Sequence, residues 1–202
     1  MLSKLVFGNA LLDSQFYFLK QLKGRNRILL AGIGTGHLLK EIIKQDIASE
    51  IVCVDISEGM LEQTQKLNSS CAFQKSISLQ YICSPIQGFV DEKKFDLIFF
   101  PYLLDCISAK DIITILARTK RQLNPSGKII FTDFYIPQQP FLVKIYARLL
   151  VKILLLFFNA ICKIGVKKLP DFDSLFSAQG FQLVAEKKFY RGILVTQMYA
   201  LQ

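Results

Sequence analysis

Apolar residues along this chain keep switching between two spacings. The run Arg27-Ile28-Leu29-Leu30-Ala31 is short, aliphatic and closed by glycines, as in a strand buried on both faces. Over residues 37–45, Leu38, Leu39, Ile42 and Ile43 recur at helical spacing. Residues 51–54 read as a second strand closing on Asp55. A helix then runs from an N-cap at Ser57 to about Leu67, with Met60, Leu61, Thr64 and Leu67 on one face. Strands follow at 77–82 and 95–100, then a helix over 111–123 stopped by Asn124-Pro125-Ser126-Gly127, and a fifth strand at 128–134. A last helix, 171–179, ends at Gly180. Strands 181–189 and 193–200 are joined by Tyr190-Arg191-Gly192, a hairpin connection. Alternation of this kind predicts an α/β fold, a doubly wound and mostly parallel seven-stranded sheet with an antiparallel last strand. No linker or repeat divides residues 1–202, so they are read as a single domain, with a helical insert at 137–170 after strand five.

Composition narrows the picture. The chain has 202 residues, 51% hydrophobic and 20% charged, enough for a sizeable core without covalent staples. Its five cysteines are odd in number and widely spaced, and it has one histidine. That pattern argues against a disulfide framework and against a metal site, and favours a reducing compartment such as the cytoplasm. The most hydrophobic stretch is interrupted by Lys144, Arg148, Lys152 and Lys163, and its longest charge-free run, 153–162, is about half of what a spanning helix needs. The N-terminus reads as mature protein rather than as a signal peptide.

The segment Ala31-Gly32-Ile33-Gly34-Thr35-Gly36-His37 falls where such sheets bind ligands, beyond the first strand and before a helix. Asp55 stands nineteen residues after Gly36, at the end of the second strand, placed to accept from both hydroxyls of a ribose. Glycine loop and acid together point to a nucleoside-containing cofactor. A dinucleotide fingerprint asks for G-x-G-x-x-G, whereas this loop is G-x-G-x-G with His37 at the position of the last glycine. The loop resembles that of the class I S-adenosylmethionine-dependent methyltransferases. So do the second-strand run from Val52 through Asp55 to Leu61, the fourth strand Phe95-Asp96-Leu97-Ile98-Phe99-Phe100, and the turn Leu123-Asn124-Pro125-Ser126-Gly127 into strand five.

The resemblance implies a Rossmann-like methyltransferase fold, S-adenosylmethionine as cofactor, and roles for particular residues. Gly32, Gly34 and Gly36 would line the amino-acid half of the cofactor, with Thr35 bonding nearby. Asp55 would hold the ribose, with Ile56 and Met60 against sugar and adenine and Ser84 at the adenine amino group. Phe100 and Tyr102 would sit beside the methionine portion. Two departures stand out: Leu30 and Ser84 occupy positions where the family usually carries acids. They keep open the alternative of a non-catalytic S-adenosylmethionine- or S-adenosylhomocysteine-binding or interaction protein. Asp105 and Asp133, at the ends of strands four and five, are the candidate general bases at the mouth of the site, and Tyr135 a candidate substrate contact. His37 is read as facing the cofactor or packing the turn rather than serving as a base.

Charge changes the picture in one place. The formal net charge is +9, and residues 134–170 contain no acid while Lys144, Arg148, Lys152, Lys163, Lys167 and Lys168 contribute six positive charges. On a helical projection Lys144, Arg148, Lys152, Asn159, Lys163 and Lys167 share one stripe, and Leu149, Leu150, Val151, Ile153, Leu154, Leu156, Phe157 and Phe158 make the rest strongly apolar. The insert is thus either a lid over an apolar pocket, an element lying on an anionic membrane surface through residues 141–168, or a dimerisation face. The expected acceptor is a hydrophobic small molecule or lipid, reached in the cytoplasm or from the inner membrane face. Nucleic acid is disfavoured, because the basic residues are interleaved with aliphatic ones.

Overall fold

The computed structural model describes residues 6–74, 76–162, 166 and 168–202, and the side chains of all of these except 69–74 and 157–162. The side chains of Asn159, Lys163 and Lys167, counted above in the polar stripe, lie outside the described residues, as do those of Cys71, Phe157, Phe158 and Cys162. The elements in chain order are α1 (Ala10–Phe16), β1 (Arg25–Ala31), α2 (His37–Gln45), β2 (Ala48–Asp55), α3 (Glu58–Gln74), β3 (Ser78–Cys83), β4 (Phe95–Pro101) and α4 (Ala109–Gln122). They continue with β5 (Leu123–Phe134), α5 (Phe141–Cys162), α6 (Phe172–Ala178), β6 (Phe181–Phe189) and β7 (Leu194–Leu201).

The strands form one seven-stranded sheet in the order β3-β2-β1-β4-β5-β7-β6. Pairing is parallel from β3 through β5, and β7 runs antiparallel to both β5 and β6. Strand order reverses between β1 and β4, so the ligand crevice of this architecture opens beyond the ends of those two strands. The Asn124-Pro125-Ser126-Gly127 turn is absorbed into β5 as an irregularity: Phe95 pairs with Leu123 but Leu97 already pairs with Lys128.

Side-chain alternation along the strands loads both faces. Ile28, Leu30, Ile51, Cys53, Leu97 and Phe99 pack with Leu38, Leu39, Ile42 and Ile43 of α2 on one side. Leu29, Ala31, Val52, Val54, Ile98 and Phe100 pack with Ile112, Ile115 and Leu116 of α4 and Phe172 and Phe176 of α6 on the other. Leu30, where the family usually has an acid, is therefore an ordinary core side chain with no exposed surface. A third cluster sits at the C-terminal end of the sheet, where Ala147, Val151, Leu154 and Leu155 of α5 meet Phe7, Phe134, Ile193 and Leu194.

Candidate active site

The loop after β1 owes its shape to its glycines. Gly32 has φ +78° and donates its N–H to the Val54 carbonyl at 2.8 Å, tying the loop to β2. Gly36, at φ +76°, caps α2, and a Cβ placed there would lie 2.9 Å from both Cγ2 and Oγ1 of the buried Thr64. Only a residue without a side chain satisfies the backbone angle and the contact with α3 together. This corrects the role expected of Gly36: it is buried beneath Thr64 and does not line the cleft, whereas Gly32, Gly34 and Thr35 do.

Asp55 ends β2 facing that loop. Its Oδ2 accepts the Ile33 N–H at 2.9 Å and its Oδ1 the Ser57 N–H at 2.9 Å. Each carboxylate oxygen keeps further lone-pair capacity for a ligand hydroxyl. Two cavities meet at Gly32. The smaller, about 190 Å³, is lined by Asp55, Ile56, Ser84, Leu103, Cys106 and Ile107 among others. The larger, about 410 Å³, is lined by Gly32, Ile33, Gly34, Thr35, His37 and Tyr102 on one side and by Leu11, Leu12 and Gln15 of α1 on the other. A mostly apolar compartment with one carboxylate at its edge, joined through bare backbone to a more polar one, fits a nucleoside carrying an amino-acid tail.

Other expected contacts fall differently. Ile56 is exposed and Ser84 half-buried, both at the smaller cavity. Met60 lies against the core cluster around α2 and lines neither cavity. Phe100 is also displaced from its expected place, because strand alternation turns it into the core with Ile98 and Leu104. The next residues, Pro101 and Tyr102, reach the cleft instead.

Tyr102 has φ +51°, and its N–H donates to the Thr132 carbonyl at 2.7 Å. Its hydroxyl shares a 2.6 Å hydrogen bond with Ser14 Oγ, which also reaches the Leu11 carbonyl at 2.9 Å. Thr196 Oγ1 donates to the Ser14 carbonyl at 2.7 Å, so α1 is pinned to β7 as well. Burial pushes the Tyr102 phenol far above its ordinary range, so it stays neutral. The roof formed by α1 has no motif behind it; the helical stretch around Leu11 to Leu22 is its sequence signal.

The two carboxylates expected at the mouth lie deeper than that. Asp105 and Asp133 are both buried, and neither lines either cavity. Asp133 Oδ2 accepts the Asp105 N–H at 3.1 Å and its Oδ1 accepts the Phe134 N–H at 2.8 Å, fastening the loop after β4 to the end of β5. Asp105 Oδ1 is buried without a partner. Burial pushes Asp105 up to about 6, and burial with the neighbouring Asp105 charge holds Asp133 well above the carboxylate range. As bases touching an acceptor in the cleft they are misplaced. As fasteners they hold Leu103 and Cys106, which do line it. Tyr135 is likewise removed from the cleft: it lines a separate cavity of about 320 Å³ with Gln138, Arg148 and Gln197, and Lys188 Nζ lies 4.8 Å from its ring centre.

Sheet order, glycine loop and strand-end carboxylate define an α/β protein of the nucleoside-cofactor-binding kind. A family model described as a methyltransferase domain matches residues 28–127, just under half of the chain, and the fold is shared with solved S-adenosylmethionine-dependent methyltransferases. Two of the solved structures that share the fold hold S-adenosylhomocysteine. A malonyl-[acyl-carrier protein] O-methyltransferase of Priestia megaterium is 30% identical over 107 residues, which are 53% of this chain and 36% of that protein. The chain thus spans little more than a third of that relative. Among solved structures, the mitomycin 7-O-methyltransferase superposes with a TM-score of 0.73 at 14% identity, over 96% of this chain and 54% of its own. The N-methyltransferase NodS of Bradyrhizobium japonicum, in complex with S-adenosylhomocysteine, gives 0.64 at 12% identity over 95% and 83%. At such identities these two structures speak for the fold.

Proposed function

We propose that this protein transfers the methyl group of S-adenosylmethionine to a hydrophobic small molecule or lipid-like acceptor. The observation that carries the reading is the meeting of two cavities at Gly32, one edged by Asp55 and the other by the glycine-loop backbone and Tyr102. In this reading Asp55 holds the ribose, Ile56 and Ser84 border the base, and Gly32, Gly34 and Thr35 border the amino-acid end. Bound there, S-adenosylmethionine supplies a methyl group on a positively charged sulfur, which an electron-rich acceptor takes by in-line displacement.

The chain's own part is positioning and the exclusion of water. Helix α1, latched by Ser14 to Tyr102, covers the larger cavity, and the Asp133 hydrogen bonds hold the far wall. An anionic acceptor needs no proton removed. For a hydroxyl acceptor, His37 is the imidazole at the larger cavity. A lipid-related acceptor is supported by the carrier-borne malonyl group that the Priestia megaterium relative's name records.

Calorimetry with S-adenosylmethionine, S-adenosylhomocysteine, NAD and NADP tests the site, with binding of the first two alone expected. Transfer of labelled methyl from S-adenosylmethionine into lipid extract or acyl carrier protein tests the activity. Tight binding without transfer to any acceptor favours the non-catalytic reading, for which Leu30 and Ser84 in place of acids are the specific observation. Binding of neither sulfur nucleoside removes the proposal.

A further inference from the structure

Helix α5 is apolar on two opposite sides, and the fold uses one of them. Ala147, Val151, Leu154 and Leu155 are buried in the cluster at the end of the sheet. On the other side Leu142, Ile145, Leu149, Ile153 and Leu156 are all exposed, Leu142 to 78% and Leu156 to 60%. At about 100° per residue these five fall within a stripe of roughly 80°, centred opposite the buried face. Lys144, Arg148 and Lys152 form a row along one flank of the stripe, and no acid occurs from residue 134 to residue 170. Tyr146 stands on the other flank.

We infer that this outer face of α5 is a docking surface for an anionic lipid bilayer, on which the helix lies in the plane of the interface with its aliphatic ridge below the headgroups and its basic row among them. The inference stands apart from the methyl-transfer reading and uses none of its residues. A contiguous aliphatic stripe of this length is unstable in water, which calls for a covering phase. The one-sided basic row supplies charge complementarity to acidic headgroups, and long basic side chains leave their stems on the apolar surface while the charge stays in water. No helix among the described residues is long and apolar enough to cross a membrane, which fits an element that lies on the bilayer. A second copy is the less suitable cover, since an antiparallel two-fold contact through the ridge sets the two basic rows on the same side of the seam.

Flotation of the whole protein with phosphatidylcholine vesicles, with and without phosphatidylglycerol, is the test. Binding is expected with phosphatidylglycerol and weakens in high salt. The Lys144→Glu/Arg148→Glu/Lys152→Glu variant is expected to bind about a hundredfold more weakly or less, and Leu149→Ser/Ile153→Ser also loses binding. Both keep the cooperative thermal unfolding transition of the wild-type protein, which shows that they fold. The chain has no tryptophan, so Leu149→Trp reports the depth directly through a blue shift with anionic vesicles. Failure of the wild-type protein to float, unshifted indole emission from the Leu149→Trp variant, or a dimer in solution that the ridge variants dissolve would each overturn the inference. So would vesicle-independent binding of an acidic carrier protein to the same face. None of these outcomes bears on cofactor binding, which calorimetry decides separately.

Discussion

The loop after β1 and helix α5 solve opposite problems. In the loop, backbone shape decides everything and side chains are nearly absent: Gly36 works because nothing stands between its Cα and Thr64. In α5 the backbone is a plain helix, and its character lies in which side chains face in and which face out. A ligand cleft needs backbone amides close to the ligand, and therefore small residues under strict angular control. A docking helix needs area, which many interchangeable aliphatic residues supply. Single substitutions should therefore be severe in the first region, and in the second should depend on the face they strike.

The largest effect is expected at Gly36. Gly36→Ala combines a left-handed backbone angle with overlap against a buried, stiff Thr64, and should cost about 2–4 kcal/mol in chemical denaturation. Next is Asp105→Asn. Burial raises the folded carboxyl above its unfolded value of 3.8 to about 6, so the strain is absent below pH 3.8 and stability is lost as pH rises through about 6. The variant should be more stable than wild type by about 2–3 kcal/mol at pH 8 and equal to it near pH 4, as read from paired unfolding curves. Within α5, Val151→Ala should cost about 2 kcal/mol while Leu149→Ser stays within about 0.5 kcal/mol; equal losses would erase the distinction between its faces. Asp55→Ala should weaken S-adenosylhomocysteine by about tenfold or more in calorimetry, about 1.4 kcal/mol, through lost charge-assisted hydrogen bonds. Unchanged affinity would detach the ribose from β2.

Strand positions were legible because two-sided burial leaves unbroken aliphatic runs such as Ile28 to Ala31, and the strand-end location of Asp55 followed from where its run stopped. What escaped was direction and depth. One residue of strand register separates Phe100 in the core from Pro101 and Tyr102 at the cleft, and a sequence does not state where a strand's last alternation falls. Asp133 read as a candidate base at the mouth, because its partners are backbone amides of residues 104, 105 and 134, contacts that composition cannot announce. The contacts of helix α1 to Tyr102 and Thr196 escaped because they join residues far apart in the chain.

The slot that β7 occupies bears on how the molecule is assembled. β7 lies inside the sheet, between β5 and β6, yet follows both in the chain. During synthesis the outer edge of β5 stays bare while residues 135–193 emerge, an aliphatic and aromatic edge open to pairing with any passing extended chain. The α5 stretch is made in that same interval. A nascent chain that parks this helix early on lipid would hold the unfinished edge away from other nascent chains until its last strand arrives.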